Sequence, residues 1–312
     1  MKAVLPALAR PLLEPRLPAA LEAAWFASPA DAEGMIADAD IAWVDMQPTA
    51  LTAAAIRAAG PQLKWVNTIY AGLDAFPLDA VRARGATLTN GSGINAVAVA
   101  EYAVMGVLAA AKRFDEVVRI ADRHEWTMHA PGQVELDGTA ALVIGYGTIG
   151  KLIGDRLQAF GVTVTGVTRS GHNGTLTPDR WHDRLGDHDW VILAAPSTAS
   201  TKAMIGAAEL TAMKPTAWLI NIARGDMVDQ DALIEALTAR RIAGAFLDTV
   251  HPEPLPPGHP LWTAPNTIHS MHLSGRSQTM MFQRGAALFL DNLDAFLAGR
   301  PMRNVVDLDA GY

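Results

Sequence analysis

Cysteine is absent from the 312-residue chain. Its absence removes disulfides, a thiolate nucleophile and cysteine-ligated zinc together, and agrees with a reducing compartment, so a cytoplasmic protein is expected. Charge is also scarce. Asp, Glu, Lys and Arg make up 18% of the residues, the net charge is −7, and no dense Lys/Arg block occurs. Such a surface argues against nucleic acid as a partner. Long apolar runs are missing as well: the most apolar stretch, Ile94 to Ala111, carries Glu101 in its middle and reads as a buried helix rather than a membrane span. Pro6, Arg10, Pro11, Glu14 and Pro15 interrupt the N-terminal residues before a secretory apolar core can form. The histidines show no HExxH or comparable spacing, so no metal site is read.

What is present is a globular composition, 50% hydrophobic, in a length that suits two domains. The sequence is organised around Ala141-Leu-Val-Ile-Gly145-Tyr146-Gly147-Thr148-Ile149-Gly150, followed by apolar residues at helical intervals as far as Phe160. The order strand, glycine turn, helix is the context in which G-x-G-x-x-G binds a dinucleotide. Gly145 allows the tight turn, Gly147 the approach of a pyrophosphate, and Gly150 close packing of helix on strand. The helix N-terminus adds unpaired N–H groups for the phosphates.

Strand and helix alternate regularly over 141–250, with strands expected at 141–145, 162–168, 189–194, 217–222 and 243–247. This describes a doubly wound parallel sheet of Rossmann type. Residues 1–93 alternate likewise, with strands at 41–45, 64–70 and 86–89 and helices at 51–59 and 78–84, but have no phosphate-binding glycine pattern. A final helix, Thr279 to Leu297, is expected to return to this first unit. The expected organisation is thus two α/β domains, Rossmann-like and flavodoxin-like, with a cleft between them. A discontinuous substrate domain spans 1–93 plus 276–312, and a dinucleotide-binding domain spans 94–275.

An NAD-preferring site places Asp or Glu at the end of the second strand, roughly 20 residues past the glycines. Here that position holds Thr168, Arg169 and Ser170. A guanidinium and a hydroxyl would pair with a 2′-phosphate that a carboxylate would repel, so NADP(H) is expected over NAD(H). Arg169 as a plain solvated loop charge is the alternative.

Three segments near carboxyl ends of strands could carry chemistry: Asn221-Ile222-Ala223-Arg224-Gly225-Asp226, Leu247-Asp248-Thr-Val-His251-Pro-Glu253-Pro254, and Asn266-Thr-Ile-His269-Ser-Met-His272-Leu-Ser274-Gly275. The prolines are expected to hold Glu253 in an extended stretch. Reducing a 2-oxo acid requires a cation for the carboxylate, a proton donor at the carbonyl oxygen, and a hydride approaching the carbonyl carbon. Histidine suits the donor role, and a neighbouring carboxylate favours its charged form. Glu101 reads as a structural carboxylate paired near a domain junction. Lys112, Arg113, Arg119 and Arg123 read as a solvated helix face.

The motifs Gly-Tyr-Gly-Thr-Ile-Gly, Asn-Ile-Ala-Arg-Gly-Asp, Leu-Asp-Thr-Val-His-Pro-Glu-Pro and His-Leu-Ser-Gly, in this order, resemble the D-isomer-specific 2-hydroxyacid dehydrogenases. The likeness runs from Tyr70-Ala71-Gly72-Leu73-Asp74 to Asn304-Val-Val-Asp-Leu. It implies that Arg224 binds the substrate carboxylate and polarises the carbonyl, that His272 is the acid/base, and that Glu253 is its partner. Tyr70, Ala71, Gly72 and Leu73 would offer backbone N–H groups to the substrate. For the cofactor it implies the 145–150 turn, the 168–170 turn, Ala195, Pro196 and Ser197 on the adenosine side, and Asp248 at the nicotinamide carboxamide. Ile222, Ala223, Ser274 and Gly275 complete that set. The Thr168-Arg169-Ser170 turn resembles the NADPH-using glyoxylate/hydroxypyruvate reductase branch. The family commonly has proline before the catalytic histidine, where this chain has Met271; loss of that restraint leaves the imidazole less firmly set. His269 competes with His272 for the role.

The resulting expectation is an NADPH-dependent 2-oxo-acid reductase forming a D-2-hydroxy acid, a homodimer with the 94–111 helix at its interface. Trp126 and Met128 would reach towards the neighbouring subunit. Trp43, Met46, Leu73, Met271 and Met281 are candidates for the substrate pocket. Formate or phosphite dehydrogenation on the same architecture is one rival. A nucleotide-sensing scaffold that keeps the motifs without turnover is another.

Overall fold

Eleven runs of two to five residues become strands among the described residues, and every pairing between them is parallel. The protein is represented by a computed structural model that describes residues 1–73 and 76–309. Asp74, part of the first turn motif, lies outside them. Parallel pairing buries both faces of a strand, which is why Leu142–Ile144 and Val191–Leu193 are continuously apolar rather than alternating. Contacts divide the chain into two units, Met1–Asn95 with Gln278–Tyr312, and Ala96–Ser277.

The first unit contains β1 (Lys2–Pro6), β2 (Glu22–Phe26), β3 (Ile41–Ala42), β4 (Trp65–Asn67) and β5 (Thr87–Thr89), in the order β2-β1-β3-β4-β5. This is the flavodoxin-like arrangement. Its helices are α1 (Arg10–Leu13), α2 (Pro29–Ile36), α3 (Thr49–Ala58), α4 (Leu78–Ala83) and the C-terminal α10 (Met281–Leu297). The sequence reading assigns neither β1, β2 nor α2. β1 ends in proline, and β2 is built from Glu22, alanines and aromatics without a β-branched residue. The helix is begun by a capping box, in which Ser28 Oγ accepts from Asp31 N (3.2 Å) and Asp31 Oδ2 from Ser28 N (3.0 Å).

In α10, Phe289 packs against Trp43 (ring centroids 5.4 Å apart) and stacks on Trp65 (4.9 Å). Gly285 lies so close to Ile69 that a Cβ would stand 2.7 Å from its Cγ2. Trp43 and Leu73 are therefore core residues rather than pocket walls.

The second unit contains β6 (Ala140–Ile144), β7 (Thr163–Val167), β8 (Trp190–Leu193), β9 (Trp218–Asn221), β10 (Gly244–Leu247) and β11 (Thr267–His269), in the order β7-β6-β8-β9-β10-β11. The short β11 goes unassigned in the sequence reading. Helices α5 (Ala96–Lys112) and α7 (Thr148–Gln158) bring Val107, Ile153 and Leu157 against one face of the sheet; α6 (Phe114–Asp122) follows α5. Helices α8 (Ala207–Ala212) and α9 (Gln230–Thr238) bring Leu210, Leu233 and Leu237 against the other. The strand order reverses between β6 and β8. Such a switch point is where open α/β sheets bind ligands, at the carboxyl ends of the strands.

Two expectations for α5 and its surroundings are corrected. Glu101 does have a cationic partner, Arg156 at 3.9 Å, but the pair lies at the surface, the Glu101 side chain being 62% exposed. Arg113 is not part of a solvated face. It adopts a left-handed backbone (φ 47°), pairs with Asp115 (3.3 Å) and Glu116 (3.2 Å), and lies over the Trp218 ring.

Candidate active site

The three motif glycines occupy three different environments at the end of β6. Gly145 has φ +98°, and a Cβ on it would stand 2.3 Å from Ala195 N, across the switch point. Gly145 N and Tyr146 N both donate to Val167 O (3.0 and 2.8 Å), which closes the turn onto the end of β7. Gly150 is pressed against the strand end, where a Cβ would be 2.3 Å from Gly145 O. Gly147 faces open space, with no atom within 4 Å of a built Cβ, immediately before exposed Thr148 at the start of α7. Tyr146 turns its ring inward against Gly154 and Gly166, and Ile149 packs into the core beside it. Both side chains therefore face protein.

After β7, Thr168 Oγ1 bonds Thr175 Oγ1 (2.7 Å) and accepts from Gly171 N (3.1 Å), which ties off the turn. Arg169 and Ser170 stand exposed at its tip. After β8, Ala195 and Pro196 lead to Ser197, whose Oγ donates to Asp226 Oδ2 (2.8 Å). After β9, Ile222 and Ala223 point into the two cores of the unit. Asn221 ties this turn: its Oδ1 accepts from Ala223 N (3.0 Å) and its Nδ2 donates to Arg224 O (2.9 Å). Gly225 lets it approach the β10 loop, since a Cβ there would be 2.0 Å from Val250 C.

The end of β10 holds Asp248, buried to 1%. Its Oδ1 accepts from Ser270 Oγ (2.8 Å), Leu273 N (3.0 Å) and Ser274 N (3.3 Å), while Oδ2 is buried with no partner among the described residues. The backbone oxygen of Asp248 accepts from His272 N (2.5 Å). One aspartate thus gathers the whole 270–274 turn, including Ser274 and the chain entering Gly275.

That turn presents His272 to Glu253. Nδ1 of His272 lies 2.6 Å from Glu253 Oε2, and Glu253 Oε1 accepts from Val250 N (3.0 Å). Burial works to raise the Glu253 pKa. The bonds from His272 and Val250, with the charges of His272 and Arg224, outweigh it and hold the carboxyl below its ordinary range. Arg224 is half-buried, and its Nη1 also donates to Ala223 O (2.8 Å). Arg224, Glu253 and His272 therefore share one electrostatic neighbourhood, though they come from the ends of three strands.

His269 points elsewhere. Its Nε2 meets Leu261 O (3.0 Å), its ring lies 4.9 Å from that of Trp262, and burial pushes its pKa down. A cavity of about 540 Å³ opens beside Asp248, Glu253, Trp262, Met271 and His272.

Two expectations fail locally. Residues 251–254 form bends rather than an extended stretch. Met271 and His272 both have φ +54°, which proline cannot adopt, so this turn differs from one built on proline. The backbone bond to Asp248 and the ring bond to Glu253 hold His272 without it.

In the first unit, the chain leaving β4 forms the 68–73 loop. Tyr70 O accepts from Gly91 N (3.0 Å) and Ala71 O from Asn90 Nδ2 (3.1 Å). The N–H groups of Ala71, Gly72 and Leu73 have no acceptor among the described residues. Asp45, Asn221 and Ser270, which brace these loops, were not singled out in the sequence. Each lies within or beside a quoted segment, and only long-range contact reveals its work.

Comparison with known proteins agrees with this layout. Residues 104–274 match the family described as "D-isomer specific 2-hydroxyacid dehydrogenase, NAD binding domain". Glyoxylate/hydroxypyruvate reductase B of Pectobacterium atrosepticum is 32% identical over 257 residues, 79% of this chain and 80% of that protein. Among solved structures, a D-isomer specific 2-hydroxyacid dehydrogenase family protein from Aeromonas salmonicida is similar with TM-score 0.87 and 28% identity, covering 99% of both chains. An NADPH-dependent glyoxylate/hydroxypyruvate reductase from Sinorhizobium meliloti, solved with NADP and malonate, gives TM-score 0.77 and 27% identity over 99% of this chain and 97% of that one. The chain belongs to the D-isomer-specific 2-hydroxyacid dehydrogenase family and is a nicotinamide-dependent oxidoreductase.

Proposed function

We propose that the protein uses NADPH to reduce a small 2-oxo acid of the glyoxylate, hydroxypyruvate or pyruvate type to the D-2-hydroxy acid. The observation that carries this reading is the His272–Glu253 pair beside Arg224 at the strand ends of a dinucleotide-type sheet. Formate oxidation involves no carbonyl oxygen to protonate, so it has no use for that pair.

Two features fit a nicotinamide dinucleotide. The space in front of Gly147 at the α7 N-terminus admits a pyrophosphate. The buried Oδ2 of Asp248, without a partner among the described residues, is an acceptor suited to the N–H of a carboxamide. When bound, the reduced nicotinamide supplies the hydride to the carbonyl carbon.

The chain's own residues do the rest. Arg224 pairs with the substrate carboxylate and draws electron density from the adjacent carbonyl. In the first unit, assigned here as the substrate domain, the N–H groups of Ala71, Gly72 and Leu73 are donors for a substrate carboxylate. Glu253 accepts a hydrogen bond from Nδ1–H of His272, which fixes the ring orientation and leaves Nε2 as the atom that gives its proton to the carbonyl oxygen. The bound coenzyme is NADPH because Arg169 and Ser170 occupy the tip where a 2′-phosphate would sit, and positions 168–170 hold neither Asp nor Glu.

The protein acts as a homodimer through α5 to α7. There Met105, Phe114 and Phe160, exposed to 44%, 58% and 45%, rim an apolar groove of about 550 Å³. The functional reading is tested by following NADPH and NADH oxidation with glyoxylate, hydroxypyruvate, pyruvate and phenylpyruvate. Turnover with a higher kcat/KM for NADPH is expected; a clear NADH preference rejects the coenzyme assignment. Tight NADPH binding without turnover on any acid favours a sensing scaffold.

A further inference from the structure

We infer that Asp45 is a positioning residue for the substrate-carboxylate loop, holding the 68–70 turn so that the N–H groups after it converge on one anion. The inference rests on the reading above that the 70–73 loop binds the substrate.

Asp45 ends the apolar run Ile41-Ala-Trp-Val and is half-buried. Three donors reach its carboxylate. Trp43 Nε1 (2.9 Å) and Ile69 N (2.7 Å) meet Oδ2, and Thr68 Oγ1 (2.6 Å) meets Oδ1. Thr68 Oγ1 in turn accepts from Tyr70 N (3.1 Å). Asp45 therefore fixes two successive residues of the turn, one directly and one through a threonine hydroxyl. Trp43 is itself immovable, being fully buried against Phe289.

From the other side, Gly91 lies so close to the turn that a Cβ would be 1.9 Å from Ile69 O, and Gly91 N and Asn90 Nδ2 take the carbonyls of Tyr70 and Ala71. With carbonyls drawn to one side and Thr68 to Tyr70 pinned through Asp45, the next three N–H groups have no internal acceptor. Successive unpaired N–H groups make a concavity for an anion.

Burial raises the Asp45 pKa to about 6, the opposing hydrogen bonds from Thr68, Ile69 and Trp43 notwithstanding. A carboxylate kept at that cost, with every bond directed to the neighbouring Trp43 or to the turn, is explained by the geometry it imposes on the turn.

The test compares Asp45→Ala, Asp45→Asn and Gly72→Pro with the parent enzyme. KM and kcat are measured for glyoxylate, Ki for oxamate, and Kd for NADPH by fluorescence. Asp45→Ala is expected to raise KM and the oxamate Ki roughly ten-fold or more, as when a charge-assisted bond is lost, with NADPH Kd unchanged and kcat less affected. Asp45→Asn, whose amide can still accept from Ile69 N and meet Thr68 Oγ1, restores most of the loss. It also serves if the alanine variant does not fold. An unchanged KM in folded Asp45→Ala, or an asparagine variant as impaired as alanine, overturns the proposal. So does an equal loss of NADPH affinity. Gly72→Pro removes one loop N–H. If it leaves KM untouched, the loop reading itself has failed; if it raises KM while Asp45→Ala does not, the loop reading stands and the Asp45 proposal alone falls.

Discussion

Two histidines three positions apart in one segment meet opposite fates, and the difference comes from what each ring reaches. His272 finds a carboxylate on another loop, whereas His269 is turned onto a backbone carbonyl and desolvated beside Trp262. General acid catalysis is worth roughly 10²- to 10⁴-fold. His272→Gln should therefore lower kcat by about that factor, and His269→Gln should leave it within a few-fold of the parent. Steady-state assays of both variants decide it, and the reverse ranking would contradict the assignment. In the sequence only the resemblance and the Ser-Gly that follows it favour His272; what each ring reaches, Glu253 or Leu261 O, is visible only in the fold. Arg224 and the glycines were legible, since their roles depend on neighbours a few residues away. Asp45 was not, because its three donors include Thr68 and Ile69 from a different strand's exit.

At the level of single elements, the β6–turn–α7 unit separates folding from binding within six residues. A Cβ on Gly150 collides with Gly145 O, while one on Gly147 has no neighbour within 4 Å among the described residues. Gly150→Ala should lower the melting temperature by several degrees, a few kcal/mol of strain being expected for such contact. Gly147→Ala should melt like the parent but bind NADPH more weakly. Thermal denaturation and coenzyme titration of the pair check both halves, and equal melting temperatures for the two variants would contradict the assignment. The strands of the second unit could be read because burial on both faces makes them continuous apolar runs flanked by turn residues. β1, β2 and β11 escaped because they are short or carry proline, alanine and charge, and are strands only by virtue of the sheet they join.

For the molecule as a whole, acid and base pull on its stability through different carboxylates. The Asp45 pKa is raised in the folded chain to about 6, so its contribution is present below the unfolded value and is lost as pH rises through about 6. The Glu253 pKa is lowered, so its contribution is present above the unfolded value and is lost as pH falls through the folded one. Asp45→Asn removes the first dependence. Its melting temperature relative to the parent should improve between pH 4 and pH 8, which parallel thermal melts would show; a constant difference would mean that Asp45 does not titrate in that window. The arrangement of two doubly wound units was legible from alternation and from one glycine motif. The paths of the loops between strands, which bring Arg224, Glu253 and His272 together, were not.

The account stands most directly on the fate of one hydrogen. Hydroxypyruvate reduced with NADPH carrying deuterium at both C4 positions should give D-glycerate with a single deuterium at C2. An L product, or a D product without the label, would contradict it.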